Sequence, residues 1–327
     1  MIKNKTIGLL GMGDMGSSVA KYLLKSNFTV QTNLDGRSKK STENAMISNV
    51  QVVSFESLIK NSDLIISIIP PISSTKTSKK ISTYSRKLSK SVNYLDANAI
   101  SPKTTLQIET NFYKNSFKNS NYIDGSIIGT SPNDKYKPRL YISGKNAKNF
   151  LYLNSLAFEV INLGKKTELS SSLKMCYASL TKGSSALLIS LILLAEKLNV
   201  LDHLFDELKH SQNDTLNKIK KSFPAISSKS ERWIAEMEEI GSTYYENELN
   251  PGVFDNANVG SGITVTISSS YSGDDVSNYS ITNQSSTTAN IIAKTLTATA
   301  SASNKTYNRK TTATETLSFS RLVGSET

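Results

Sequence analysis

The sequence is poor in the residues that disulfide scaffolds and metal sites use. A single cysteine, Cys176, excludes an internal disulfide framework, and we expect it to pack in the core. The only two histidines, His203 and His210, leave no His-Glu-x-x-His zinc pattern and no Ser-His-Asp triad. No uninterrupted apolar run approaches the roughly 18–20 residues of a membrane span. These absences argue against a metal or serine hydrolase and a membrane protein, and no metal site is predicted.

The charge balance is strongly positive, yet it does not indicate a nucleic-acid surface. The formal net charge is +11, but the lysines are scattered along all 327 residues rather than gathered in one stripe. A solvated lysine surface is the simpler interpretation, so we expect neither nucleic acid nor a membrane as a partner. A positive field would still favour an anionic cofactor.

The chain changes character twice, which predicts three domains. Strand-like and helix-like segments alternate over residues 1–163, a pattern typical of a Rossmann-type, doubly wound parallel sheet in an α/β protein. Residues 164–252 are almost entirely helical, and one long apolar helix, 170–201, is expected to form a homodimer interface. Residues 253–327 are rich in Ser, Thr and Asn and alternate in the manner of β-strands. Glycines interrupt the apolar start of the chain, so we expect a cytoplasmic domain rather than a signal peptide.

A glycine loop stands between the first predicted strand, Thr6–Leu10, and the first predicted helix. The segment fits the pattern G-x-G-x-x-G in the strand-to-helix setting that the pattern requires. The first glycine allows a tight turn, the second lets a pyrophosphate approach the backbone, and the third allows close packing of helix and strand. The helix N-terminus then attracts the anion through unpaired amides and its dipole. The predicted cofactor-binding residues are Gly11, Met12, Gly13, Asp14, Met15 and Gly16.

The residues after the second predicted strand give conflicting signals about the cofactor. Asp35 stands about 20 residues past the loop, where an acidic side chain would bind the 2′-hydroxyl of NAD. Arg37 and Ser38, followed by Lys39 and Lys40, would instead suit the 2′-phosphate of NADP. NADP is favoured, with NAD kept as the alternative, and Arg37 and Ser38 are predicted to bind the ribose phosphate.

Residues 1 to about 252 resemble the β-hydroxyacid dehydrogenase family, which includes 6-phosphogluconate and 3-hydroxyisobutyrate dehydrogenases. The branch most similar is the one with a "phosphogluconate dehydrogenase, NAD-binding, putative C-terminal" domain. The stretches that carry the resemblance are 11–16, Asp96–Pro102, Ile123–Gly129, Leu173–Gly183 and Arg232–Glu239.

The resemblance implies roles for individual residues in an NAD(P)-dependent dehydrogenase acting on a small acid. Ile69 and Pro70 would pack on the cofactor, and Asn98 would face the substrate. Gly125 and Ser126 would lie in the loop that binds the substrate carboxylate. Lys174 would be the catalytic lysine. The family's usual Ser-Gly-Gly loop is replaced here by Ile128-Gly129-Thr130.

Elementary chemistry supports the assignment of Lys174 independently. The lysine lies in an apolar helix, where ionisation is costly, so its pKa is predicted to fall from about 10.4 toward 7–8. A lysine so tuned can accept the hydroxyl proton as hydride leaves carbon. Lys182, two turns further along, would depress that pKa further or bind a substrate carboxylate. A lysine that extends along the helix surface to reach solvent remains the alternative for both.

The last 75 residues support a different interpretation of the chain. Several segments resemble the YDG repeats of filamentous-haemagglutinin-like adhesins, a resemblance that suggests either a gene fusion or an added interaction module. Two alternatives to a dehydrogenase therefore stay open at this point. One is a non-catalytic surface adhesin, and the other is a dinucleotide-binding protein without catalysis.

Overall fold

The computed structural model describes residues 5–154, 156–223 and 227–252, together with four short strands between residues 260 and 320. The chain divides into two compact units, Met1–Asp255 and Asn256–Thr327. The first unit contains an α/β part followed by a helical part. The second consists, within its described residues, of strands.

An eight-stranded sheet forms the α/β part, in the order β3-β2-β1-β4-β5-β6-β7-β8. Strands β1 to β6 run parallel, β7 is antiparallel to β6, and β8 is parallel to β7. The strands are β1 Thr6–Leu10, β2 Thr29–Thr32, β3 Gln51–Val52, β4 Leu64–Ser67, β5 Asn93–Asp96, β6 Asn121–Ile128, β7 Arg139–Ser143 and β8 Glu159–Gly164. The predicted Rossmann-type architecture is confirmed.

Apolar side chains cover both faces of this sheet and fix the register of its strands. One cluster contains Ile7 and Leu9, and the other contains Leu10 and Ile65. Strands buried on both faces are the reason that the central segments are almost continuously apolar. The pair Pro70-Pro71 ends the chain's extended course after β4, because proline supplies no N–H for a sheet.

Five helices connect the strands of the sheet. They are α1 Asp14–Lys25, α2 Lys39–Ile47, α3 Phe55–Asn61, α4 Ser74–Lys87 and α5 Pro102–Asn115. Serine hydroxyls at the N-caps of α2, α3 and α5 accept a backbone N–H three residues on. Short 3-10 turns at Pro71–Ser73 and Ala147–Leu153 complete this part.

The helical part follows with α6 Leu169–Lys197, α7 Leu201–Ser211, α8 Asn213–Ser222 and α9 Ser227–Glu246. The predicted single helix 170–201 is wrong at its end, because Asn199 adopts a left-handed φ of 55° that stops α6 and starts α7. Within the described residues, α6 is long and apolar enough to cross a membrane, and 28% of its most apolar window is buried. The sequence analysis did not predict this property, because it counted only uninterrupted apolar residues and serines interrupt the apolar run within α6.

Cys176 is exposed, so its expected core position is wrong. It lies on the side of α6 that faces a groove of about 880 Å³, which α5 and the end of α9 also line. Its neighbour Met175 also borders the groove but is 1% exposed and belongs to a buried apolar cluster with Ala178 and Ile240.

The second unit pairs its described strands in two antiparallel ladders, β9 Gly260–Thr266 with β10 Ser286–Ile291 and β11 Thr297–Ala302 with β12 Glu315–Ser320. The alternating segments of the sequence therefore form strands as predicted. The resemblance to adhesin repeats stays a prediction.

Candidate active site

The glycine loop makes two close contacts and leaves one open position. Gly11 has a φ of 105°, and a Cβ there would collide with the carbonyl oxygen of Ile68. A Cβ on Gly16 would collide with the carbonyl oxygen of Gly11. At Gly13, by contrast, no atom lies within 4 Å of the space that a Cβ would fill. Gly11 and Gly16 thus allow close packing, whereas Gly13 leaves the backbone open to a ligand.

The open glycine is also the N-cap of α1, and no side chain caps the helix there. The first amides of a helix lack intrahelical acceptors and carry a partial positive charge, which suits an anionic diphosphate. Around this position Met12 is buried, Met15 packs against the core, and the Met12 carbonyl accepts a hydrogen bond from Asn44 Nδ2 at 2.9 Å. These contacts hold the loop in place and fit a bound dinucleotide.

The start of α2 lies beside this loop. Lys40 Nζ is 2.8 Å from the carboxylate of Asp14, the first residue of α1. The Ser38 hydroxyl caps α2 by accepting a hydrogen bond from the Ser41 amide. Asp35 accepts a hydrogen bond from Asn33 Nδ2 at 3.1 Å, so its carboxylate is engaged locally. The basic segment predicted for the ribose phosphate, which includes Arg37, is therefore adjacent to the loop.

Asn98 joins the ends of β4 and β5. Its Oδ1 accepts a hydrogen bond from the Ile69 amide at 2.7 Å, and its Nδ2 donates to Ser67 Oγ and Asp96 Oδ1. The side chain is 3% exposed. These bonds hold Ile69, whose side chain lies beside Gly11 of the glycine loop, whereas a contact of Pro70 with the cofactor and of Asn98 with substrate stay predictions.

Lys174 reaches the neighbouring strand end from α6. Its Nζ donates a hydrogen bond to the carbonyl oxygen of Ile127 at 2.7 Å, and the residue is half-buried. Because β1, β4, β5 and β6 are parallel, their carboxyl ends share one edge of the sheet. The glycine loop, Ile69 and Lys174 are consequently grouped along that edge, as an active site at the ends of the strands requires.

Gly125 and Ser126 do not lie in a loop, and this part of the prediction is wrong. Both are inside β6, where they pair with β7. The Ser126 side chain is 1% exposed, and its hydroxyl donates to the carbonyl oxygen of Ser170. The chain leaves the sheet only at Gly129, whose φ is 132°. The loop beside Lys174 therefore begins at Gly129-Thr130, directly after Ile128, the last residue of β6.

Lys182 has a partner inside the helical part. Its Nζ is 2.6 Å from the Glu236 carboxylate and 6.0 Å from the centre of the Trp233 ring. Both side chains of the ion pair are largely buried, so the pair fastens α6 to α9. Its carboxylate partner is a protein side chain, and contact with a substrate acid stays a prediction.

Two buried carboxyl groups next to the site escaped the sequence analysis. Asp96 and Asp124 are register partners on β5 and β6, and both are 1% exposed. Burial raises the pKa of Asp96 to about 6 and that of Asp124 to about 8, although hydrogen bonds from Ser171 oppose the second shift. The signal was present in the sequence, since each acid follows apolar strand residues, but their partners come from distant segments.

Comparison with known proteins agrees with this geometry. Residues 1–90 match the NAD-binding domain of D-isomer-specific 2-hydroxyacid dehydrogenases, and residues 195–259 match a domain family of unknown function, DUF1932. An uncharacterised 28.5 kDa protein of Methanothermus fervidus is 30% identical over 217 residues, which cover 66% of this chain and 81% of that protein.

The chain belongs to the same protein family as this Methanothermus fervidus protein.

Two solved structures show the same fold at lower identity. A conserved protein of unknown function, described as similar to 3-hydroxyacid dehydrogenases, is 24% identical with a TM-score of 0.57, and the match covers 76% of this chain and 93% of that one. An imine reductase from Myxococcus stipitatus in complex with NAD⁺ is 16% identical with a TM-score of 0.51, over 76% and 90% of the two chains. The two matches thus show a fold of the 3-hydroxyacid dehydrogenase type over 76% of the chain.

The contrast between Gly13 and Gly16 gives a first test. Gly13→Ala should leave the fold intact, because its φ of −72° suits alanine, yet reduce dinucleotide affinity at least tenfold, about 1.4 kcal/mol. Gly16→Ala should destabilise the protein by roughly 1–3 kcal/mol through overpacking. Thermal unfolding and NADPH titration separate the two effects. Equal NADPH affinity in Gly13→Ala and wild type would contradict the proposal that the diphosphate binds against the open backbone at Gly13.

The raised pKa of Asp124 predicts a pH dependence of stability. The folded state keeps the proton up to about pH 8, whereas the unfolded carboxyl group loses it near pH 3.9, so the free energy of unfolding should fall as pH rises through this window. The slope contributed between pH 6 and 8 is at most about 1.4 kcal/mol per unit. Asp124→Asn, whose side chain resembles the protonated acid but does not titrate, should remove this contribution to the pH dependence. Denaturant titrations at several pH values give the free energy of unfolding of each protein. The same change of this free energy with pH in Asp124→Asn and wild type would refute the prediction.

Proposed function

We propose that this protein is an NAD(P)-dependent oxidoreductase that transfers hydride between the nicotinamide and a small β-hydroxyacid-like substrate, with Lys174 as general acid and base. The observation that carries the proposal is the arrangement along one edge of the sheet. An open glycine at the N-terminus of α1 and a lysine seated at the end of β6 share that edge.

The residues of the loop would hold the diphosphate, with Gly13 and the amides of Asp14 and Met15 facing it. Ile69, which contacts the loop, and Pro70 would pack on the cofactor beyond the diphosphate. The nicotinamide, when bound, supplies the acceptor for hydride in oxidation and the donor in reduction.

Lys174 Nζ would move the proton that accompanies the hydride. In oxidation the neutral amine takes the proton of the substrate hydroxyl as the carbinol carbon loses hydride, which leaves a carbonyl and an ammonium. In reduction the ammonium returns that proton to the oxygen. The Ile127 carbonyl keeps Nζ at the end of β6 between these steps.

The cofactor preferred under this proposal is NADP. Arg37, Ser38 and Lys40 offer a guanidinium, a hydroxyl and an amine beside the loop, while the Asp35 carboxylate is bound to Asn33. The substrate is a small acid, bound at the loop Ile128-Gly129-Thr130. Relative to Ser-Gly-Gly, the first position of that segment changes from a hydroxyl side chain to the apolar Ile128, and the third gains the hydroxyl of Thr130.

The protein is further proposed to form a homodimer through the helix region 170–201. On α6 the side chains of Leu180, Leu187 and Leu194, seven residues apart, are 66%, 61% and 55% exposed. A stripe with this spacing lies on one side of a helix and suits packing against a second copy. A cytoplasmic location stays a prediction.

Replacement of Lys174 tests the chemistry. With NADP⁺ and a panel of β-hydroxyacids of three to six carbons, wild-type protein should reduce the cofactor with at least one acid. Lys174→Ala should lower that rate at least 100-fold and leave NADPH affinity within twofold. Lys197→Ala, at the far end of α6, serves as the matched control. Unchanged turnover in Lys174→Ala would refute the catalytic role of the lysine. Wild-type protein that binds NADPH but turns over none of the acids would favour a non-catalytic dinucleotide-binding protein.

Cofactor preference is testable by fluorescence titration. NADPH should bind at least tenfold more tightly than NADH, and Arg37→Ala should narrow the ratio because the guanidinium no longer pairs with the 2′-phosphate. Lys60→Ala, remote at the end of α3, should leave it unchanged. Tighter binding of NADH than of NADPH would contradict the preference for NADP and would favour Asp35 as the residue that binds the ribose 2′-hydroxyl.

The dimer can be tested by sedimentation velocity. Leu187→Asp should shift the protein to the monomer, because a charge would be buried in the apolar stripe. Leu151→Asp, at an exposed site outside α6, should not change the mass. A monomeric wild-type protein would contradict the proposal.

A further inference from the structure

The N-terminus of α6 receives its hydrogen bonds from the sheet. A helix leaves its first amides without intrahelical acceptors, and Glu168, the N-cap of α6, makes no side-chain cap. The Ser170 amide donates instead to Ser143 Oγ at 2.9 Å, and the Ser171 amide donates to Asp124 Oδ2 at 2.7 Å. Asp124 and Ser143 are themselves register partners on β6 and β7.

Asp124 makes the stronger of these attachments, because it holds Ser171 at two points. Besides the amide, the Ser171 hydroxyl donates to Asp124 Oδ1 at 2.6 Å, and it also lies 2.8 Å from Thr105 Oγ1 on α5. Two bonds from one planar carboxylate fix both the height and the rotation of the helix end. Asp124 is 1% exposed, so water does not compete for them.

The same strand and the same helix meet again at the proposed catalytic lysine. Three residues after Asp124, β6 reaches Ile127, about 10 Å further along the strand. Three residues after Ser171, less than one helical turn and about 4.5 Å along the axis, α6 reaches Lys174. The lysine side chain bridges the remaining distance to the Ile127 carbonyl. A rotation of α6 by one residue step, about 100°, would turn Lys174 away from it.

We propose that Asp124 is a positioning residue for Lys174, and that it sets the place of the lysine amine through its paired hydrogen bonds to the N-terminus of α6. This inference rests on the proposed role of Lys174, since its consequence for catalysis exists only if that lysine acts. Asp124 itself does not touch the substrate.

Competitive labelling of lysine amines tests the proposal without a known substrate. Trace isotopic formaldehyde with borohydride at pH 10, followed by peptide mass spectrometry, gives the labelling rate of Lys174 relative to exposed Lys60. In Asp124→Ala this ratio should rise at least fivefold, because an amine released from Ile127 reacts more readily. Asp124→Asn keeps an oxygen for the Ser171 amide and should stay within twofold of wild type.

A matched control separates positioning from a general loosening of the sheet. Asp96→Ala removes the register partner of Asp124, an equally buried acidic side chain. Within the part of the chain that the structure describes, its hydrogen-bond partners are Ser67, Asn98 and Tyr122, none of them on α6, so the Lys174 ratio should stay within twofold of wild type. If Asp124→Ala fails to fold, as judged by circular dichroism, Ser171→Ala removes the contacts of the hydroxyl with Asp124 and Thr105 but keeps the amide bond to Asp124, and it should raise the ratio at least twofold.

Three results would overturn the proposal: a Lys174 ratio unchanged in the folded variant, an Asp124→Asn protein as perturbed as Asp124→Ala, or an equal rise in Asp96→Ala. Failure of the proposed function is a separate outcome. Wild-type protein that binds neither NADPH nor NADH would refute the dehydrogenase assignment, whereas the labelling ratios would still report where Lys174 lies.

Discussion

The close approach of the backbone at the glycine turn is the constraint on which the rest of the site depends. Gly16 must lie against the carbonyl of Gly11, and Gly11 against that of Ile68, for α1 to start directly at the end of β1. This packing directs the N-terminus of α1 toward the edge where β4, β5 and β6 also end. The open side of Gly13 is the consequence, since close contacts at its neighbours leave the amides of the helix end facing outward.

The segments that carry the family resemblance are far apart in sequence but contact one another in the fold. Asp124 bonds to Ser171, and Lys174 bonds to Ile127, which joins the β6 segment to α6. Glu239 of α9 accepts hydrogen bonds from the Ser101 amide and the Thr104 hydroxyl at the N-terminus of α5. The helical part is thereby attached to the strand ends by acidic side chains whose oxygens accept hydrogen bonds at helix N-termini. The site is built from these attachments as well as from the loops.

Much of this arrangement could be predicted from local sequence, and some of it could not. Apolar runs, the two prolines after β4 and the glycine spacing are local signals, and they gave the sheet, the order of elements and the loop. Ser126 was wrongly placed in a loop because the length of β6 depends on its pairing with β7. Cys176 was wrongly placed in the core because exposure depends on which neighbour covers a residue. The pairing of Lys182 with Glu236 joins residues 54 positions apart on two helices, and no local pattern reports it. Asp96 and Asp124 were missed for the same reason.

A crystal structure with NADPH would test the central claim most directly. The account predicts diphosphate oxygens about 3 Å from the backbone nitrogens of Asp14 and Met15, with the nicotinamide on the side of the sheet edge where Lys174 meets Ile127. A diphosphate bound elsewhere would contradict the account. A nicotinamide too far from Lys174 for one small substrate molecule to contact both the nicotinamide ring and Nζ would also contradict it.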